Sequence, residues 1–206
     1  MLKPLIPSED PLLHQKIKGC SYNLDRSKLS YTLNENMFHH NGVGLSANQI
    51  GINERVFVMM TDIESQETIT CFNPKIIKES TTQVVMEEGC LSYPDLFLEI
   101  PRPNSIIVKY EDEGKNIFKR RLEGFSARVF QHEYDHMEGI DFTQRTINKS
   151  GDLLSTMFCK NKMSREDRQK FKLKMLHRYE DALEVRLAGI KAAKAKLEEQ
   201  MNRDET

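Results

Sequence analysis

The segment His132-Glu133-Tyr134-Asp135-His136 restricts this chain more than any other. It has the form H-E-x-x-H, and at about 100° per residue a helix brings imidazoles four residues apart onto one face, with Glu133 alongside. Two neutral imidazoles can then ligate one divalent ion while the carboxylate reaches water beside it. The neighbouring residues predict such a helix over 126–138. Phe130, Tyr134 and Met137 recur at helical spacing, Ser126 is a candidate cap, and Gly139 stands where a C-terminal glycine belongs. A catalytic site of this type takes three protein donors and keeps one position open, so the third donor decides the chemistry.

Three sources for that donor compete. A continuing H-E-x-x-H-x-x-G-x-x-H would supply a third histidine, but the position holds Phe142. A metalloendopeptidase drawing a glutamate from a later helix would use Glu166, Glu180 or Glu184, all in a strongly charged tail. Cys90, in Glu88-Gly89-Cys90-Leu91-Ser92, follows a glycine where backbone can approach an ion closely, and it is the preferred donor. Cys20, Cys71 and Cys159 form no C-x-x-C and read as small buried hydrophobes. A further segment, Gly42-Val43-Gly44-Leu45-Ser46-Ala47-Asn48-Gln49, has small residues, Gly44 among them, that let backbone approach a ligand. Its amide, Gln49, can donate N–H bonds to a carbonyl oxygen.

Leu29, Leu33 and Met37 predict an amphipathic helix over 27–40, stopped by Asn41-Gly42. Residues 55–60 read as a buried strand, and 68–77 as a second one broken by Pro74. Residues 105–110 and 116–122 flank the turn-like Asp112-Glu113-Gly114 and predict a hairpin. Sequentially adjacent strands mixed with helices predict an α+β fold, not a doubly wound sheet. From Gly151 to the end, 56 residues hold 13 Lys/Arg and 10 Asp/Glu, whereas the preceding 150 hold 17 and 21. The expected organisation is a catalytic domain over 1–148 and a charged, mainly helical extension over 149–206, its long helix starting near Ser164. A net charge of −1 excludes a globally basic, sequence-specific nucleic-acid binder. With no apolar run of spanning length and no signal peptide, a cytoplasmic protein without a membrane partner is expected.

Taken in order, GVGLSANQ at 42–49, EGCLSYP at 88–94 and QHEYDH at 131–136 resemble the three motifs of the peptide deformylase family, over roughly residues 4–145. The resemblance implies a compact α+β domain in which antiparallel strands surround the metal helix. It implies Cys90, His132 and His136 as ligands of one divalent ion, usually Fe²⁺ and replaceable by Zn²⁺ or Ni²⁺. Glu133 becomes the general base and then the acid, and Gln49 with the Leu91 N–H becomes the oxyanion hole. The implied substrate is the N-formylmethionyl end of a nascent peptide, with Gly44, Val43, Met86, Phe125 and Val129 lining its pocket. Glu88 and Arg102 would form a supporting ion pair. Ser46 departs from the family by replacing the first of two alanines, and Phe97 by replacing an arginine of many bacterial members. The tail exceeds what the catalytic domain needs. Its block 160–178, with eight Lys/Arg and two Asp/Glu, suggests the ribosome as a partner.

Overall fold

The computed structural model describes residues 2–62, 65–146 and 194. The chain divides into two units, Met1–Asn161 and Lys162–Thr206, and the architecture is that of the first. The expected tail helix, Cys159 and the boundary at 148/149 lie outside the described residues.

Helix α1 spans Arg26–His39 and begins where the Asp25 side chain accepts the Lys28 N–H. It buries Leu29, Leu33 and Met37, the stripe read from the sequence. Strands β1 (Gly44–Ser46), β2 (Val56–Met60), β3 (Thr68–Glu79), β6 (Ser105–Glu111) and β7 (Ile117–Glu123) form one sheet in the order β1-β2-β3-β6-β7, antiparallel at every pair. The unbroken apolar run of β2 follows from two covered faces. Val56, Val58 and Met60 pack with the α1 stripe, while Phe57 and Met59 pack with Phe130 and Met137 of α2 (Gly124–Glu138).

Pro74 does not end β3. The strand passes through it on a register shift against β6 between Phe72 and Lys75, with Asn73 at φ 49°, so the missing N–H falls at an irregularity that needs no donor. The β6–β7 hairpin forms as read, with Lys115 supplying the positive φ of the turn. Strands β4 (Gln83–Cys90) and β5 (Tyr93–Pro103) form a separate two-stranded sheet that the sequence reading did not contain. Three prolines in β5 conceal it, and a two-stranded sheet tolerates them because each strand has a free edge.

Helix α2 starts two residues before Ser126, with Glu123 at the cap position and Gly124 at φ 56°. Ser126 is therefore no cap; its Oγ donates back to the Glu123 carbonyl at 3.1 Å. The other end is as expected, with Gly139 left-handed at φ 70°. A Cβ there would also lie 2.6 Å from the Gln15 backbone carbon. Gly139→Ala is expected to cost about 2 kcal/mol and several degrees of Tm by calorimetry. An unchanged Tm would show that the 14–17 segment yields freely. No helix among the described residues is long and apolar enough to cross a membrane.

Candidate metal centre

The folded chain brings one donor of β4 to two donors of α2. Cys90, the last residue of β4, places Sγ 3.3 Å from His136 Nε2, and the donor atoms of Cys90, His132 and His136 all lie within 4.8 Å of one another. The two imidazoles face each other edge-on, their centroids 5.2 Å apart, as the four-residue helical spacing requires. Phe142, which stands where another H-E-x-x-H family has its third histidine, is buried with its ring 5.7 Å from that of His132. It walls the site and donates nothing. The candidate glutamates Glu166, Glu180 and Glu184 lie outside the described residues.

Behind the donors sits a buried charge network centred on Glu88. Its carboxylate accepts Arg102 Nε at 2.7 Å and Nη2 at 2.9 Å, Arg128 Nη1 at 2.7 Å, and His132 Nδ1 at 3.1 Å. Bonding Nδ1 to a carboxylate fixes the ring and leaves Nε2 as the donor atom. Burial works to raise the Glu88 carboxyl, but the bonds from His132 and Arg102 outweigh it and hold it at about 2. Burial likewise disfavours a charged His132, yet its bonds with Cys90 and Glu88 win and raise its pKa. Burial and the neighbouring His132 lower the pKa of His136. One sulfur and two imidazoles, one of them backed by a carboxylate, fit a divalent transition-metal ion.

Glu133 is buried beside this point. Ser46 Oγ donates to its Oε2 at 2.8 Å, and a Cβ on Gly44 would come within 2.4 Å of its Oε1. Gly44 therefore leaves room for the glutamate, a closer reason for a glycine than approach to substrate. Burial raises the Glu133 carboxyl to about 6, against the opposing pull of His132 and the Ser46 bond. Gln49 is also buried: its Oε1 accepts the Ser46 N–H at 2.9 Å, which turns Nε2 toward Ser92 Oγ at 3.1 Å and Cys90 Sγ at 3.6 Å. Leu91 packs its side chain against Gly42. Asn48 Nδ2 donates to the His136 carbonyl at 2.9 Å and ties the same segment to α2.

Of the expected pocket residues, Val43 and Phe125 are half-buried between the two halves of the core, and Val129 is buried in the half that holds Phe130. Met86 stands apart from them, exposed on β4. Phe97 pairs with Gly89 across β4 and β5, where its ring occupies the space a Cβ would need.

The Glu88–Arg102 pair was expected; Arg128, Asp135, Arg145 and Ser92 were not singled out. Asp135 accepts Arg102 Nη1 at 2.7 Å and Arg145 Nη2 at 2.5 Å, which makes Arg102 a bridge between two buried carboxylates. Arg128 also donates to the Ile100 and Val84 carbonyls at 2.7 and 2.6 Å and joins α2 to the β4–β5 sheet. The sequence held a signal for two of them, because residues 128, 132 and 135 share one face of a helix.

Residues 2–151 match the family model described as polypeptide deformylase. The peptide deformylase of Thermotoga maritima is 40% identical over 132 residues, covering 64% of this chain and 79% of its own. The crystal structure of a peptide deformylase from that organism superposes with a TM-score of 0.67 at 36% identity, over 72% of this chain and 99% of the other. A Met-Ala-Ser-bound crystal structure of a class I type b peptide deformylase from Acinetobacter baumannii gives a TM-score of 0.65 at 28% identity, over 70% and 98%. With a family match across well over half of its length, on the segments that carry the Cys90, His132 and His136 cluster, this chain belongs to the polypeptide deformylase family.

Proposed function

We propose that Cys90, His132 and His136 hold a divalent ion, natively Fe²⁺, and that Glu133 moves the proton in hydrolysis of the formyl amide of N-formylmethionyl peptides. The family membership makes the chain a metal-dependent hydrolase that releases formate from N-formyl peptides. The donor set accepts Fe²⁺, Zn²⁺ or Ni²⁺. When bound, the ion supplies Lewis acidity: it polarises a carbonyl oxygen and lowers the pKa of water.

The protein side of the reaction follows from the placements above. Glu133 is dehydrated and adjacent to the cluster, so it takes the proton from attacking water and returns it to the departing amine. Its raised pKa suits both tasks near neutral pH. Gln49 Nε2, held by the Ser46 backbone bond, donates to the developing oxyanion together with the Leu91 N–H. Val43, Phe125 and Val129 offer apolar surface for the methionine side chain. Glu88 and Arg102 keep His132 oriented without touching substrate. Met-Ala-Ser bound to the A. baumannii relative supports a substrate beginning with methionine. Such peptides arise in the cytoplasm, and the basic block 160–178 would hold the enzyme near emerging chains at the ribosome.

The convergence of Cys90 with the two helix histidines carries this reading. Cys90→Ala is expected to lose bound metal and formate release from formyl-Met-Ala-Ser together, as chelation of the parent would. Full metal occupancy and turnover in the variant would remove Cys90 from the site and return the endopeptidase-type ligand set to consideration.

A further inference from the structure

Two of the groups proposed to act on the substrate are held by one residue. Ser46 ends β1, where it pairs with Phe57 of β2, and it is fully buried. Its backbone N–H donates to Gln49 Oε1 at 2.9 Å, and its Oγ donates to Glu133 Oε2 at 2.8 Å. The Glu133 carbonyl oxygen also lies 3.2 Å from Oγ, but a hydroxyl carries one hydrogen, and the shorter bond to a carboxylate is the stronger. The other carboxylate oxygen, Oε1, accepts from no group among the described residues and lies against Gly44, where a Cβ would come within 2.4 Å of it.

The backbone bond would survive a change of side chain at this position, whereas the bond to Glu133 needs a hydroxyl. Ser46 replaces an alanine of the family motif, so this contact belongs to the chain and not to the motif that it matches. A glutamate side chain has three rotatable bonds, and few of its rotamers put a carboxylate oxygen where a proton can be passed. Burial does not choose between the two oxygens, because close packing is indifferent to which of them points where. A hydrogen bond to one of them does choose. The choice matters, since a displacement of about 1 Å at a reacting group can cost about 10²-fold in rate.

We infer, on the role proposed above for Glu133, that Ser46 is a positioning residue whose hydroxyl holds Oε2 so that Oε1 is presented for proton transfer. Ser46 acts through the carboxylate, and its own hydrogen stays on Oγ throughout. Because the same residue anchors Gln49 by its N–H, the proton-transfer group and the oxyanion donor share one support. That support is a strand residue paired in register, which fixes the two groups relative to each other more firmly than a loop would.

The test is a double-mutant cycle on formate release from formyl-Met-Ala-Ser by the full-length, metal-loaded protein, with metal content measured on the same samples. Ser46→Ala is expected to lower kcat about tenfold and to leave KM and metal stoichiometry at parental values. Introduced into Glu133→Ala, the same change should cost nothing further, because the group it positions is gone. Ser30→Ala, which deletes another buried hydroxyl, bonded to Thr70, should keep the parental kcat. In ¹³C NMR of the Zn²⁺-loaded protein, the carboxyl resonance that disappears in Glu133→Gln should move in Ser46→Ala and stay in place in Ser30→Ala. A kcat within threefold of the parent, an unmoved resonance, or a second tenfold loss on top of Glu133→Ala overturns the proposal, the last in favour of a purely structural serine. An active Glu133→Ala overturns the role of Glu133 itself, and is told apart because Ser46→Ala then has no carboxylate to act through.

Discussion

Glu133→Ala is expected to reduce formate release from formyl-Met-Ala-Ser by about 10²–10⁴-fold while leaving metal stoichiometry unchanged. The carboxylate lies next to the donor cluster without belonging to it, so its removal deletes proton transfer and spares coordination. The loss should fall on kcat, because the role proposed for Glu133 is on a proton in flight and not on the bound peptide. Glu133→Gln should be nearly as inactive, since an amide keeps the shape and the Ser46 contact but cannot accept the proton at neutral pH. Formate quantified by an enzyme-coupled assay, alongside metal analysis of the same samples, decides the matter. Turnover within tenfold of the parent would assign the proton to another group.

Arg102→Ala is expected to be among the most destabilising substitutions in the chain. Arg102 is 4% exposed and bridges Glu88 and Asp135, which are also buried. Removing it leaves two buried carboxylates each short of a partner, Glu88 with Arg128 and His132 and Asp135 with Arg145, at about 3–5 kcal/mol. For a chain of this size that corresponds to a Tm lower by about 10 °C. Because Glu88 loses an anchor while still holding His132 Nδ1, metal affinity should also fall, by about 10–100-fold. Arg102→Lys should restore little, since one ammonium cannot bridge two carboxylates with the geometry of a planar guanidinium. A parental melting curve for the alanine variant would mean that Arg128 and Arg145 carry the network alone.

The helices were legible because their signals are local. The α1 stripe, the spacing through 126–138 and Gly139 each reside within a few turns, and the structure differs from the reading by one or two residues at the ends. Strand β2 was legible as a buried apolar run; which helices cover its two faces was not, since these are distant in sequence. The β4–β5 sheet escaped because its prolines argue against a strand, and only the free edge of a two-stranded sheet removes the objection. At the site, the histidine spacing and the thiol behind a glycine could be read directly. Arg128 and Asp135 carried only the hint of sharing a helix face with His132, and Arg145 none, because a buried ion pair is recognised only by the partner it meets, and Glu88 lies 40 residues from Arg128. Ser46 was noticed only as a small residue; its hydroxyl bond to a glutamate 87 positions away belongs to tertiary structure.

The origin of the three donors has a consequence for how the protein ages and is loaded. Cys90 stands at the turn end of β4, in a hairpin paired apart from the main sheet, while His132 and His136 belong to the helix packed on that sheet, 42 and 46 positions further along the chain. An ion shared among them is topologically a cross-link, and closing a loop of that length restricts the unfolded chain by about 4 kcal/mol in the loop-entropy account. Oxidation of the single thiolate would open the cross-link and cost the hairpin its tether as well as the enzyme its ion. On the proposed ligand set, catalytic competence and conformational lifetime are vested in the same sulfur atom.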